Sequence, residues 1–298
     1  MNWINGFELL CYALTVFFLY DLLKRRDGAE LRLFLSAALA GYVLELLAVR
    51  VTGIYHYSDL FCISIGFRPY QFPFFGGLMW GGLTVCALRT VRRLKMNAWQ
   101  TAAAAGWLIV TMDILLDVAA IRLDGGFWVW EGRPITLDIT HHMFMSVIWV
   151  NFLGYLFETP AVVYLHLRTE HRPVSGIMEG IRRIIITALT GIGFVGAASG
   201  ISLCLNQWSD EWFACAAFLL LWIWVLLLMI KAVLRIRLCG FDRSGIPALL
   251  YWAGMYLYCL CALVHLGIAQ RYPLYFLFGA VCMILTCTAA VLKTKEKN

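Results

Sequence analysis

The chain repeats one feature nine times, an apolar stretch close to 20 residues long, near 3–23, 31–51, 70–88, 99–121, 142–166, 184–205, 213–234, 247–268 and 274–292. Stretches of that length match the hydrocarbon thickness of a bilayer, and a water-soluble core has no use for so many of them. Inside hydrocarbon each backbone amide must find its partner within its own segment, so these stretches are helices. The expected fold is therefore all-α: a polytopic integral membrane helical bundle of about nine transmembrane helices, forming a single membrane domain over 1–298. The composition, 62% apolar and 14% charged, fits that class. Lys24, Arg25 and Arg26 follow the first stretch instead of preceding it, which marks a first transmembrane helix and not a cleavable signal.

The basic residues sort by side. Lys24, Arg25, Arg26 and Arg32, the clusters within 89–95, 168–183 and 231–243, and Lys293, Lys295 and Lys297 fall on one face; only Arg50, Arg68, Arg122, Arg133 and Arg271 fall on the other. The positive-inside rule then predicts an outer N-terminus and a cytoplasmic C-terminus, in a bacterial or archaeal cytoplasmic membrane. The net charge of +6 is accounted for by this orientation and by anionic lipid, without nucleic acid.

The ten cysteines include no Cys-x-x-Cys pair and lie mostly in apolar helices, where they act as small packing residues. Cys62 and Cys204 both fall near the outer face, and their spacing leaves a pairing open. The run "GIGFVGAASG" (191–200) reads as a close helix-packing surface. His56, His141, His142 and His265 fall near the outer face, but no His-x-x-x-His or Glu-x-x-His pair stands on a helix, so no metal is expected. Adjacent His141 and His142 are expected to point to different sides of a helix. Nucleotide loops, dinucleotide fingerprints and serine elbows are missing from the sequence.

The carboxylates inside the spans constrain function. With a rise of about 1.5 Å per residue, Glu45 lies roughly 9 Å below the outer end of its span. On the same scale Asp117 and Asp113 lie about 6 and 12 Å deep, and Asn151 about 14 Å. These residues share one stratum. The outer loops "GIYHYSD" (53–59) and "GGFWVWEG" (125–132) bring Tyr55, Tyr57, Trp128 and Trp130 over it. Spans 6 to 9 carry no carboxylate within the membrane. A charged side chain at this depth costs a few kcal/mol, about 2.5–3.5 on insertion scales, so it is expected to face a functional interior. The structural alternative pairs the acids with Arg50, Arg122 or backbone donors, and makes the two tryptophans interfacial anchors. Glu8 and Asp21 are expected to be interfacial and salt-bridged. Glu158, below the pocket, is expected to pair with an arginine at the inner face.

Desolvated acids beside aromatic rings suit the protonation of an unactivated carbon–carbon double bond, because ring faces stabilise the resulting carbocation. A polar group such as Asn151 can then place the water that captures it. The implied substrate is a lipid-soluble polyene or isoprenoid, and no cofactor is needed.

Four segments carry a resemblance: "GYVLELLAVRVTGIYHYSD", "FRPYQFPFFGGLMWGG", "MDILLDVAAIRLDGGFWVWEG" and "WVNFLGYLFE". Over roughly residues 40–160 the chain resembles the bacterial and archaeal carotenoid biosynthesis membrane proteins that include the carotenoid 1,2-hydratases and the bisanhydrobacterioruberin hydratase. It departs from their pattern at Val118, where members usually have Pro, at Tyr155, where they have Trp, and in "THHMFMSVIWVN", which replaces an Ile-Pro-x-x-Asn run. The resemblance implies a family-like core over 31–166, additional helices over 184–292, and a hydratase-like lyase. Asp117, Asp113, Glu45 and Asn151 are then the catalytic candidates, with Asp117 the proton donor, Asp113 its tuning neighbour, and Glu45 or Asn151 orienting the water. Tyr55, Tyr57, Trp128, Trp130, Trp80 and Tyr155 are the substrate-binding candidates, and other enzymes of a pigment pathway are candidate partners. The rival reading is a non-enzymatic isoprenoid, proton or cation carrier using the same carboxylates, and a third is a scaffold for a pigment-producing complex.

Overall fold

The computed structural model describes residues 2–53, 55–130, 132 and 134–296; Arg133 and Lys297, counted above in the charge distribution, lie outside the described residues. The chain forms the helices α1 (Trp3–Arg25), α2 (Gly28–Thr52), α3 (Phe74–Val91), α4 (Ala98–Ala120), α5 (Trp149–Thr169), α6 (Ile177–Trp208), α7 (Trp212–Arg235), α8 (Ile246–His265), the short α9 (Ile268–Arg271) and α10 (Pro273–Val291). Eight of them are long and apolar enough to cross a membrane. The ninth expected span, α5, is as long at 21 residues, but Asn151, Tyr155, Glu158 and Pro160 lower its apolarity.

Local chemistry sets the helix ends. Asn2, Asp27 and Asn97 cap α1, α2 and α4 by accepting from backbone amides of the first turn, while Gly53 closes α2 in the left-handed conformation at φ 58°. Pro247 and Pro273 sit in the first turns of α8 and α10, where a missing amide proton costs nothing. Pro160 instead lies inside α5, and Gly106 of α4 makes room for its ring: a Cβ there would stand 2.6 Å from Pro160 Cδ.

Burial places α3 and α4 at the centre, apolar and enclosed on nearly every side, while α6 and α7 present large residues such as Phe194, Ile201, Leu220 and Leu227 outward. Two ends differ in chemistry. At the basic end, Arg89 binds Asp21 at 2.9 Å and Glu30 at 2.6 Å, Arg25 binds Asp21 at 2.8 Å, and Arg93 binds Asp242 at 2.9 Å. Asp21 is thus salt-bridged as expected. At the opposite end short hairpins cover the bundle, and the strand Tyr55–Tyr57 pairs antiparallel with Trp128–Trp130.

One expectation fails at the hairpin end. Glu8 is buried and makes no salt bridge among the described residues; it accepts from Cys62 N at 2.7 Å, Ile63 N at 3.0 Å and Tyr12 Oη at 3.2 Å, pinning the loop after α2 onto α1. Backbone amides that no strand satisfies supply what a cation was expected to supply. Cys62 and Cys204 are both free and exposed.

Candidate active site beneath the hairpins

Helix direction brings the acids together. α2 and α4 both run toward the hairpin end and α5 runs back, so Glu45, Asp117 and Asn151 all fall within about 10 Å of it along their helices. α5 begins at Trp149 and not near residue 142, because Met143–Phe144 folds back on Val147–Ile148 through Met145 and Ser146, both at positive φ. Asn151 is therefore about 3 Å into its helix instead of the roughly 14 Å expected. The same hairpin region takes His141 and His142 off any helix: His141 stacks on Trp212 and His142 meets Glu211 at 2.8 Å.

Every candidate named from sequence lines one cavity of about 310 Å³. α2 contributes Glu45, α3 Trp80, α4 Asp113 and Asp117, α5 Asn151 and Tyr155, and the paired strands Tyr55, Tyr57, Trp128 and Trp130. The strand register sets Tyr55 against Trp130 and Tyr57 against Trp128, with His56 opposite Val129. Side chains alternate across a strand, so the four large rings share the cavity face. Ring centroids lie 5.1 Å apart for Tyr55 and Trp130 and 6.0 Å for Tyr57 and Trp128. Trp80 closes the wall beside Tyr155, centroids 4.8 Å apart, and can do so because Gly41 of α2 has no Cβ to obstruct its ring.

The three acids have different partners. Glu45 accepts from Tyr57 at 2.7 Å and Tyr55 at 3.0 Å on Oε2, and from Tyr155 at 3.1 Å on Oε1. Among the described residues, three phenols and no cation hold it. Asp117 Oδ2 accepts from Asn151 Nδ2 at 2.7 Å. Asp113 Oδ2 is buried with no hydrogen-bond partner among the described residues, as is Trp130 Nε1. A buried carboxyl oxygen and a buried indole N–H without partners are costly in a dry site. Burial, and then the Glu45 charge, hold the Tyr55 and Tyr57 phenols well above their ordinary range, so both remain donors.

The arginines offered as structural partners lie elsewhere. Arg122 donates to Val118 O at 2.6 Å, Met145 O at 2.9 Å and Thr136 O, fastening the hairpin region to the end of α4. Arg50 is exposed. Glu158 stays outside the cavity as expected, yet meets no arginine: its Oε2 is buried without a partner among the described residues.

Sequence reasoning missed several walls. Phe7 of α1 and Phe61 and Phe72 of the loop after α2 line the cavity, as do Val195, Gly196, Ser199 and Leu203 of α6. Spans beyond the fifth therefore do contribute. The small-residue run in α6 packs closely at Gly191, where a Cβ would lie 2.6 Å from Val162 Cγ2, but Gly196 and Ser199 leave space for the cavity. Leu203 is 54% exposed on the outside of the bundle while also lining the cavity, so the hollow reaches the lipid-facing surface beside α6. Among the described residues, no group of three or more His, Cys, Asp or Glu is placed to hold a metal.

Fold and site together define a class, an integral-membrane helix bundle with an acid cavity roofed by aromatic rings. A family model described as carotenoid biosynthesis protein matches residues 6–236, from α1 to the end of α7. The chain belongs to that family, which places it in the carotenoid pathway and implies a lipid-soluble isoprenoid substrate. No curated protein and no solved structure matches it.

Proposed function

We propose that the chain is a cofactor-independent hydratase that adds water across a terminal carbon–carbon double bond of a linear carotenoid. The observation that carries this reading is the convergence of Glu45, Asp113 and Asp117 on one aromatic-lined cavity that reaches lipid. Two carboxyls one helical turn apart and away from water cannot both ionise cheaply, so the Asp113–Asp117 pair keeps a proton. Asp113 presents the unengaged oxygen, while Asn151 fixes Asp117 beside it. Transfer of that proton to the alkene leaves a tertiary cation between the Tyr and Trp faces and the Glu45 carboxylate. Asn151 orients a water onto the cation, Glu45 takes the proton the water loses, and its return to the aspartate pair closes the cycle. The polyene chain lies toward α6, where the cavity meets lipid. The positive-inside rule sets the basic end toward the cytoplasm and the cavity in the outer half of the membrane.

The test is expression of the chain beside a linear carotenoid pathway, with pigment extracts weighed by mass spectrometry. A product heavier by one water, lost in Asp117→Asn, is the expected result. Pigments of unchanged mass across C40 and C50 linear substrates would overturn hydration; transport of pigment or protons in vesicles at unchanged mass would favour the carrier.

A further inference from the structure

The basic end holds two kinds of cation. Arg25, Arg89, Arg92, Arg93 and Arg183 are each committed to carboxylates, to Asp21, Glu30, Glu170, Asp242 and Glu179. The side chains of Lys95, Lys231 and Arg235 make no ion pair or hydrogen bond among the described residues. These three nonetheless converge from the α3–α4 connection and the last turns of α7 onto one pocket of about 510 Å³, which no Asp or Glu lines among the described residues. Asn97 and Gln100 add neutral polar groups to its wall, and Leu228 and Met96 add apolar ones.

Apolar surface continues along the α4–α7 seam. Trp99 and Trp224, 43% and 47% exposed, stack there with centroids 5.6 Å apart and planes 15° apart. Farther along, Trp107 donates to Trp222 O at 2.9 Å and Trp222 donates to Thr111 Oγ1 at 3.0 Å, which makes the seam a fixed surface. Three cations with no acidic partner among the described residues, under an exposed indole pair, match an amphiphile with an anionic head and a long apolar tail. The charge calls for more than a single phosphodiester.

We propose that this pocket binds the headgroup of a two-phosphate anionic phospholipid of the adjacent leaflet, with an acyl chain laid over Trp99 and Trp224. Lys231 and Arg235 would each take a phosphate and Lys95 would close the pocket. The site lies at the opposite end of the bundle from the acid cavity and does not depend on the chemistry proposed there.

The test is native mass spectrometry of the full chain in detergent, titrated with diphosphatidylglycerol, phosphatidylglycerol or phosphatidylcholine. Retention of diphosphatidylglycerol is expected to exceed that of phosphatidylcholine by roughly tenfold or more, and the double variant Lys231→Gln, Arg235→Gln is expected to lose most of that preference. The control Lys24→Gln, Arg26→Gln removes the same charge at the same end and is expected to keep it. Both pairs are exposed, and an unchanged thermal midpoint without lipid verifies folding. Equal losses in the two variants would reduce the effect to general surface charge and overturn the site. So would unchanged retention in the first variant, or displacement of the lipid by inorganic phosphate alone at millimolar concentration.

Discussion

Asn151 of α5 donates its amide to Asp117 of α4 at 2.7 Å, linking the two helices through the one carboxyl oxygen of the aspartate pair that has a side-chain donor among the described residues. Asn151→Leu leaves that oxygen without its donor in a dry site. We expect turnover to fall by about 10² or more, within the range ascribed to a positioned acid or base, while the protein still inserts. Product mass per unit of purified protein measures it.

Asp113→Asn and Asp117→Asn test whether both members of the pair are needed. Both replacements nearly conserve shape and remove an acidic proton. Each is expected to abolish hydration, by about 10² to 10⁴, without lowering the thermal midpoint. A variant retaining near-normal turnover would remove that aspartate from the mechanism.

Tyr57→Phe deletes the shortest of the three donors to Glu45. The loss of a donor to a buried acid is expected to cost about 1–3 kcal/mol, read as a lower thermal midpoint in detergent. Tyr155→Phe, acting on the other oxygen of Glu45 at 3.1 Å, should cost less.

Gly41→Ala tests the support of Trp80. The added Cβ would lie 2.8 Å from Trp80 Cδ1, forcing the ring toward Tyr155 and through it toward Glu45. Overpacking of this kind costs about 1–3 kcal/mol. Both the thermal midpoint and turnover are expected to fall.

Acid should destabilise the basic end through Glu170. Burial pushes its carboxyl upward, but the close contact of His166 Nε2 at 3.1 Å and the charge of Arg92 outweigh that and bring it from 4.5 down to about 2. A folded value below the unfolded one means the stabilisation is complete above about 4.5 and is lost as pH falls toward about 2. Glu170→Gln is expected to flatten the thermal midpoint over that window and to lower it near neutrality.

Much of this was legible because lipid makes the rules strict. Apolar length located the helices, and the cost of burying a carboxylate singled out Glu45, Asp113 and Asp117 before any geometry was known. What the sequence hid were contacts between segments. Glu8 reads as an interfacial acid because nothing local shows that the amides of Cys62 and Ile63 will be delivered to it from a loop 54 residues away. The start of α5 was misplaced because Met143 to Ile148 is apolar enough to pass for helix, yet its pairing with itself is a matter of turn geometry. The α6 wall was missed because glycine and serine pack helices and border hollows with the same residues.

The ladder joining Tyr55–Tyr57 to Trp128–Trp130 ties the connection after α2 to the one after α4. The two connections therefore behave as a single exchangeable part. A chimera that imports either one from a relative must import both, or the ring facing each transplanted residue will belong to a different lid.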